Sequence, residues 1–122
     1  MPACLSVRVS STYNYAMDMR NVKLILWNAA EAPERALMLT VAGYNVDALI
    51  PSDLKSIRLL RENPPDAVVV DLSRLPSQGR DVGLLLRQCR QTRKIPLVFV
   101  DGDPIKVERI KKLLPDAVFA RW

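Results

Sequence analysis

The chain has 122 residues, of which 49% are hydrophobic and 25% are charged, and it carries a net charge of +5 without any histidine. This length and composition are typical of one globular domain with its own core. The lack of histidine excludes phosphotransfer through that residue and catalytic triads that use it, and it argues against a zinc site. Cys4 and Cys89 have no ligand or redox spacing, so we expect free thiols.

Residues 1–20 differ from the rest of the chain. Leu5, Val7 and Val9 alternate with polar residues, which is a short strand signal, and a polar stretch follows. We expect an N-terminal extension over residues 1–20 and one domain over residues 21–122. Neither a membrane-spanning apolar run nor a signal-peptide pattern is present in the sequence, so we expect a cytoplasmic protein.

Strands and helices alternate from residue 22 onward. The apolar run at residues 22–27 predicts a buried strand, and Pro33 and Gly43 mark the first turn and the end of the helix that follows. Residues 46–50 predict a second strand. Ser52 predicts the cap of a second helix, whose apolar side comprises Leu54, Ile57, Leu59 and Leu60.

The third strand is predicted at residues 67–71, where three valines precede Asp71. Consecutive β-branched residues indicate a strand that is buried on both faces. A loop is expected over residues 72–79 and a third helix over residues 81–90, with Leu84, Leu85 and Leu86 inside. Ligands and chemistry in an open parallel sheet lie beyond the carboxyl ends of its strands, so Asp71 is the first candidate site residue.

The last third of the chain predicts one more helix between two strands. Residues 96–100 and 118–120 read as strands, and Asp103 followed by Pro104 predicts a capped helix start. We expect the inward face of this helix to hold Ile105, Ile110, Leu113 and Leu114. The resulting (βα)₄β order predicts an α/β fold with helices on both faces of a parallel sheet.

From residue 22 to residue 122 this pattern resembles the receiver domain of response regulators, of the chemotaxis type. The resemblance rests on the buried strand that ends at Asp71, followed by Pro76 and Gly79. Receivers place a phosphate-accepting aspartate, a proline and a glycine in this arrangement, although the proline here is one residue later than usual. The resemblance implies a doubly wound, five-stranded parallel sheet of flavodoxin-like topology, in the order 2-1-3-4-5, with Asp71 as the phosphoacceptor.

Most residues that support phosphorylation in receivers are replaced. Active receivers hold Mg²⁺ with an acidic pair after strand one, and they use a hydroxyl residue after strand four and a lysine after strand five. These groups offset the negative charge that phosphoryl transfer to a carboxylate brings together. The corresponding residues here are Asn28 and Ala29, then Asp101, then Arg121. The chain therefore resembles a degenerate receiver, or pseudo-receiver.

A carboxylate at this crevice needs a partner. We predict an ion pair between Asp71 and Arg121, shared with Asp101, and Arg74 is the other available cation. Asp71 and Asn28 are the candidate metal ligands. No cofactor is expected, and Mg²⁺ enters only if Asp71 is phosphorylated.

The resemblance also predicts an uncovered face. Receivers have a fifth helix after strand five, whereas this sequence ends at Trp122. The first helix alone would leave several hundred Å² of apolar surface exposed, which monomers rarely tolerate. We therefore expect a second copy of the chain, another protein or the N-terminal segment to cover the sheet beside Phe119 and Trp122.

Three functions remain open from the sequence. The first is a non-enzymatic bacterial signalling module that acts by protein–protein interaction and independently of phosphorylation. The second is a single-domain response regulator that a histidine kinase phosphorylates on Asp71. The third is a small nucleic-acid-associated protein that uses the basic residues Arg87, Arg90, Arg93 and Lys94. We favour a solvated helix end for these cations, which the helix dipole stabilises there, and we expect no membrane partner.

Overall fold

The computed structural model describes residues 20–51 and 54–122. The strands are β1 (Asn21–Ile25), β2 (Asn45–Leu49), β3 (Ala67–Asp71), β4 (Leu97–Val100) and β5 (Val118–Ala120). The helices are α1 (Ala32–Val41), α2 (Leu54–Glu62), α3 (Pro76–Gln88) and α4 (Pro104–Leu113), and a 3-10 turn at Ala29–Glu31 precedes α1. All strands are parallel in the order β2-β1-β3-β4-β5, which confirms the predicted α/β topology.

Two apolar cores lie on opposite faces of the sheet. The larger core takes Val68 and Val70 from β3, and α3 and α4 supply buried side chains to it. The smaller core takes Val69 from the same strand and packs against α1, which contributes Ala32, Ala36 and Leu39. Successive strand residues point to opposite faces, so the three valines fill both cores and β3 is buried on both sides as predicted.

Helix boundaries follow the predicted signals at three places. Pro33 lies in the first turn of α1, and Gly43 ends that helix with a φ of 106°. This left-handed backbone conformation is open to glycine at little cost. The Asp103 carboxylate caps α4, where it accepts hydrogen bonds from the backbone N–H groups of Ile105 at 2.9 Å and Lys106 at 3.4 Å.

The third helix begins earlier than the sequence predicts. Residues 72–79 were expected to form a loop before a helix at residues 81–90, but α3 begins at Pro76 and ends at Gln88. Its buried side is formed by Gly79, Val82, Gly83 and Leu86. The prediction was wrong because glycine is a poor helix former, so two glycines conceal the buried stripe in the sequence. Leu84 and Leu85 are only partly buried against the core.

Two helices expose apolar residues that were predicted to face inward. On α4, Ile110 and Leu114 are buried, but Ile105 is 68% exposed and Leu113 is 53% exposed. The helix contacts the core through Val107 and Ile110, and Leu114 does so immediately after it. Ile105 lies five positions from Ile110, on another side of the helix. Leu59 of α2 is likewise exposed.

Several predictions concern residues that the structure does not describe. The expected extension lies outside the described residues except for Arg20, whose carbonyl oxygen accepts the backbone N–H of Asn45 at 2.9 Å. The cap at Ser52 and the apolar side chains of Leu54 and Ile57 are also outside the description. Across residues 20–51 and 54–122, no helix is long and apolar enough to cross a membrane.

The close approach of α3 to the sheet generates a stability prediction. A Cβ atom on Gly83 would lie 2.8 Å from Phe99 Cζ and 2.8 Å from Leu114 Cδ1, both within the larger core. Replacement of Gly83 by Val should therefore lower the free energy of unfolding by about 1–3 kcal/mol, because overpacking forces neighbours to shift. Urea denaturation measures this change.

The matched control is Gln88→Val, which places the same side chain at an exposed position of α3. Its expected effect is within about 0.5 kcal/mol. Equal unfolding free energies for the Gly83 and Gln88 variants would contradict the packing described for α3.

Candidate functional site

The carboxyl ends of the parallel strands meet around Asp71. This residue ends β3, pairs with Val100 of β4 and is only 3% exposed. Asn28 follows β1, and Asp101 follows β4, where its backbone N–H donates to the carbonyl oxygen of Ala120 at 3.0 Å. The structure thus places the predicted residues Asp71, Asn28 and Asp101 at one edge of the sheet, as parallel topology requires.

Both oxygens of the Asp71 carboxylate accept hydrogen bonds. The backbone N–H of Ser73 donates to Oδ1 at 2.8 Å. The indole N–H of Trp122 donates to Oδ2 at 3.3 Å. Burial of a carboxylate without partners is costly, and hydrogen bonds to the charged oxygens offset part of that cost. Two neutral donors therefore hold Asp71 in place.

The predicted ion pair between Asp71 and Arg121 is wrong. Arg121 is exposed, and neither it nor any other arginine or lysine in the described part of the chain forms an ion pair with Asp71. Arg74 instead lies near Glu31, with 3.9 Å between Nε and Oε1. The side chain that reaches Asp71 is that of Trp122, the residue after Arg121. This position faces the α1 side of the sheet.

Trp122 is held by three kinds of contact. Its indole reaches Asp71, and its backbone N–H donates to Asp101 Oδ1 at 3.4 Å. The guanidinium of Arg35 on α1 lies 5.2 Å from the ring centroid, within cation–π distance, and both side chains are partly buried. Sequence reasoning assigned Trp122 to an interface and missed its link to both carboxylates. Nothing in the spacing of these residues signals it.

Asp101 occupies an unusual backbone position. Its φ of 60° is left-handed, and Gly102 follows with a φ of 103°. A Cβ on Gly102 would lie 2.8 Å from Leu72 Cβ, so the turn after β4 passes very close to the residue that follows β3. Aspartate tolerates left-handed geometry better than most residues. The turn therefore accounts for an aspartate where the resemblance expects a hydroxyl residue.

The residues at the position of the acidic pair do not fit a magnesium ion. Asn28 Oδ1 accepts the backbone N–H of Ala30 at 3.1 Å and thereby caps the 3-10 turn, and Ala29 offers no side-chain ligand. Both oxygens of Asp71 already accept hydrogen bonds. Mg²⁺ requires several oxygen ligands with carboxylates among them. Within the described ranges, no three acidic or cysteine side chains are grouped so that they could hold a metal ion.

Phe119 does not lie on the face where the sequence placed it. Its ring stacks on Phe99 in the larger core, with centroids 5.3 Å apart, and Lys111 Nζ lies 5.5 Å from its centroid. Val118 and Ala120 are the residues of β5 that are exposed on the α1 side, and Val118, which is 56% exposed, pairs in register with Val98. Alternation along the strand explains this correction, since residues 118 and 119 point to opposite faces.

Arg87, one cation of the predicted basic run, stabilises the fold. Arg87 Nη1 donates to the carbonyl oxygens of Arg93 at 2.9 Å and Ile95 at 2.7 Å. Its Nε lies 3.2 Å from Asp116 Oδ2. Arg87 thus fastens the connection between α3 and β4, and Arg90, Arg93 and Lys94 are the exposed members of the run.

Comparison with known proteins connects this architecture to a fold. Neither a protein-family model nor a curated protein matches the sequence. The structure is similar to the N-terminal domain of a response regulator receiver protein from Methanoculleus marisnigri JR1, with 17% identity, a TM-score of 0.69, and coverage of 84% of this chain and 83% of that one. A CheY-like receiver domain from Methylobacillus flagellatus gives 18% identity, a TM-score of 0.69, and coverage of 85% and 86%.

The chemotaxis protein CheY4 of Vibrio cholerae is similar over 84% of both chains, with 17% identity and a TM-score of 0.65. The receiver domain of the sensor histidine kinase PA1611 from Pseudomonas aeruginosa PAO1, solved with a magnesium ion in its active-site cleft, gives 20% identity and a TM-score of 0.64, and covers 85% and 84%. At these identities the likeness is one of fold. The chain therefore has the doubly wound, five-stranded fold of response-regulator receiver domains.

Proposed function

We propose that this chain is a signalling module on the receiver fold that acts by binding another protein, independently of phosphorylation at Asp71. The observation that carries the proposal is the hydrogen bond from the Trp122 indole to Asp71 Oδ2. With Ser73 on the other oxygen, the carboxylate that would accept a phosphoryl group is engaged on both sides within the protein itself.

The charge around Asp71 supports the same proposal. A phosphoryl group on this residue would stand at the same sheet edge as the Asp101 carboxylate, because Asp71 pairs in register with Val100, the residue before Asp101. Transfer of such a group is assisted by cations that offset the developing negative charge. Here Arg121 is exposed, and Arg74 lies beside Glu31 and forms no ion pair with Asp71 among the described residues.

Two other functions remain as alternatives. A single-domain response regulator phosphorylated on Asp71 by a histidine kinase is favoured by the place of Asp71 at the end of β3, the position of the acceptor in the receiver pattern. A nucleic-acid-associated protein would use the basic run at the end of α3. The internal role of Arg87 leaves that surface with less charge than the sequence indicated.

We further propose that a second copy of the chain covers part of the α1 side of the sheet. Val118 is exposed there, and Met38 of α1 is 41% exposed with its sulfur 4.0 Å from Arg35 Nη1. Arg35 in turn contacts Trp122 after the end of β5, so Met38 and Val118 are both exposed on the side of the sheet that α1 covers. Exposed apolar groups that lie together are typical of an interface.

The phosphorylation test uses intact mass after incubation with acetyl phosphate and Mg²⁺. We expect no phosphoryl adduct on the wild-type chain, because the acceptor oxygens are engaged and the residues at the metal position do not fit Mg²⁺. The control is Asp71→Asn. An adduct on the folded wild type that is absent from this variant would contradict the proposal and favour the response-regulator alternative.

The Trp122–Asp71 hydrogen bond is tested by a double-mutant cycle. Trp122→Phe keeps an aromatic ring for Arg35 but removes the indole N–H, and it should lower the free energy of unfolding by about 1–2 kcal/mol. Combined with Asp71→Ala, it should show a coupling energy of about 1 kcal/mol in urea denaturation. A coupling energy near zero would refute the bond.

Trp27 provides the matched control for this cycle. Its indole N–H is buried without a hydrogen-bond partner in the described part of the chain. Trp27→Phe therefore removes the same group from a site where it makes no bond. Since an unsatisfied buried donor carries a desolvation cost, its loss should leave stability unchanged or slightly raised before any packing effect.

Self-association is tested by sedimentation equilibrium over a range of concentrations. We expect a monomer–dimer equilibrium for the wild type and a shift toward monomer for Val118→Lys, because a desolvated ammonium opposes burial. The exposed basic residue Arg90, changed to Ala, is the control and should leave the equilibrium unchanged. A wild type that is monomeric at every concentration would contradict the second-copy proposal.

A further inference from the structure

A shallow cleft between α3 and α4 combines positive charge with accessible space. Its cavity volume is about 60 Å³, and it opens to solvent on the outer side of the larger core. The residues that line it come from the first turns of α3 and the middle of α4, and they are Pro76, Ser77, Arg80, Lys106, Arg109 and Ile110. Ile110 forms the floor and belongs to the core, whereas three of the other five residues are cations.

The charge in this cleft is not neutralised by the chain. Arg80 is the one cation of the three with an ion-pair partner in the described residues, with 3.0 Å between Nη2 and Asp81 Oδ1. Lys106 and Arg109 are exposed and form none in the part of the chain that the structure covers. Two cations on adjacent turns of α4 are therefore available to a ligand.

The acidic residue of α4 and the aspartate that caps it are engaged elsewhere. The Asp103 carboxylate accepts hydrogen bonds from backbone N–H groups at the beginning of the helix. Glu108 pairs with Lys111 at 3.3 Å, away from the cleft lining. The uncompensated charge of the cleft consequently attracts anionic groups from outside the chain.

An apolar stripe borders the same cations. Ile105, Arg109 and Leu113 are four positions apart from one another, so they follow one side of α4, and both apolar members of this stripe are largely exposed. Leu75, immediately before α3, is also exposed. A small anion could occupy the cleft but would leave the stripe in water. A peptide with acidic and apolar side chains satisfies both features.

We propose that the α3–α4 cleft docks an acidic amphipathic segment of a partner protein. Its carboxylates pair with Lys106, Arg109 and Arg80, and its apolar side chains cover Ile105 and Leu113. This assignment rests on the proposed function, because it names the chemistry of the partner that the module binds. It is carried by residues that are separate from Asp71 and Trp122.

The probe is a fluorescein-labelled peptide of Glu, Leu and Ala, with leucines and glutamates at helical spacing, and binding is read by fluorescence anisotropy. The wild-type chain should bind it. Lys106→Ala combined with Arg109→Ala should weaken binding about tenfold, since two charge contacts are lost. The control pair, Arg90→Ala with Lys94→Ala, removes the same charge at exposed positions beyond α3 and should change affinity less than about twofold.

Several outcomes would overturn the docking proposal. The first is that the wild-type chain does not bind the peptide. The second is that the two double variants lose the same affinity, and the third is that a peptide with Gln in place of Glu binds with equal affinity. Tighter binding of a DNA duplex, with the same loss in the cleft variant, would reassign the surface to nucleic acid. Thermal unfolding of each variant verifies that it is folded.

The two proposals fail in different ways. A phosphoryl adduct on Asp71 together with peptide binding would contradict the proposal of phosphorylation independence. It would support the proposal that the cleft docks a peptide. If the chain binds no peptide and also gains no adduct, the docking proposal is overturned. The proposal that Asp71 is not phosphorylated then stands.

Discussion

The burial of β3 on both faces is the constraint on which this structure depends. Three consecutive valines give the strand no polar side, so apolar groups must cover both of its surfaces. The chain meets this requirement by placing α1 on one face and the other helices on the opposite face. Right-handed crossovers between parallel strands lead to this arrangement. The central position of β3 in the sheet, with neighbours on both edges, follows from the same requirement.

The burial of β3 also determines which groups can surround Asp71. Because β3 is central, the carboxylate at its end is withdrawn from water, and it must find donors within the protein. In the receiver pattern a metal ion and an ammonium group supply the opposing charge. Here the donors to Asp71 are a neutral backbone N–H and a neutral indole N–H, and the same tryptophan also reaches Asp101. These hydrogen bonds join β3, the residue after β4 and the end of β5 at the carboxyl edge of the sheet.

The sequence predicted the framework more fully than the site. The strand order was predicted from the resemblance to receiver domains. The cap at Asp103 and the helix end at Gly43 follow from local patterns, in which a few neighbouring residues contain the whole signal. The start of α3 could not be predicted in this way. Its two glycines allow close packing against the sheet, but glycine has a low helix propensity. The Trp122–Asp71 contact joins residues 51 positions apart, and no periodicity encodes a bond of that kind. By charge, Arg121 is the more obvious partner for Asp71. The side chain that points toward Asp71 is nevertheless that of Trp122.

The anchoring of Trp122 has a consequence for the edge of the sheet. Strand β5 has only three residues and hydrogen-bonds to β4 along one side alone. Short edge strands fray easily, and an unprotected edge is a template for pairing with other chains. The bonds of Trp122 to two carboxylates fasten the end of this strand to the centre of the sheet. Release of the tryptophan would leave the outermost strand held by its ladder to β4 and by the stacking of Phe119 on Phe99, so fraying of the sheet would begin at this end.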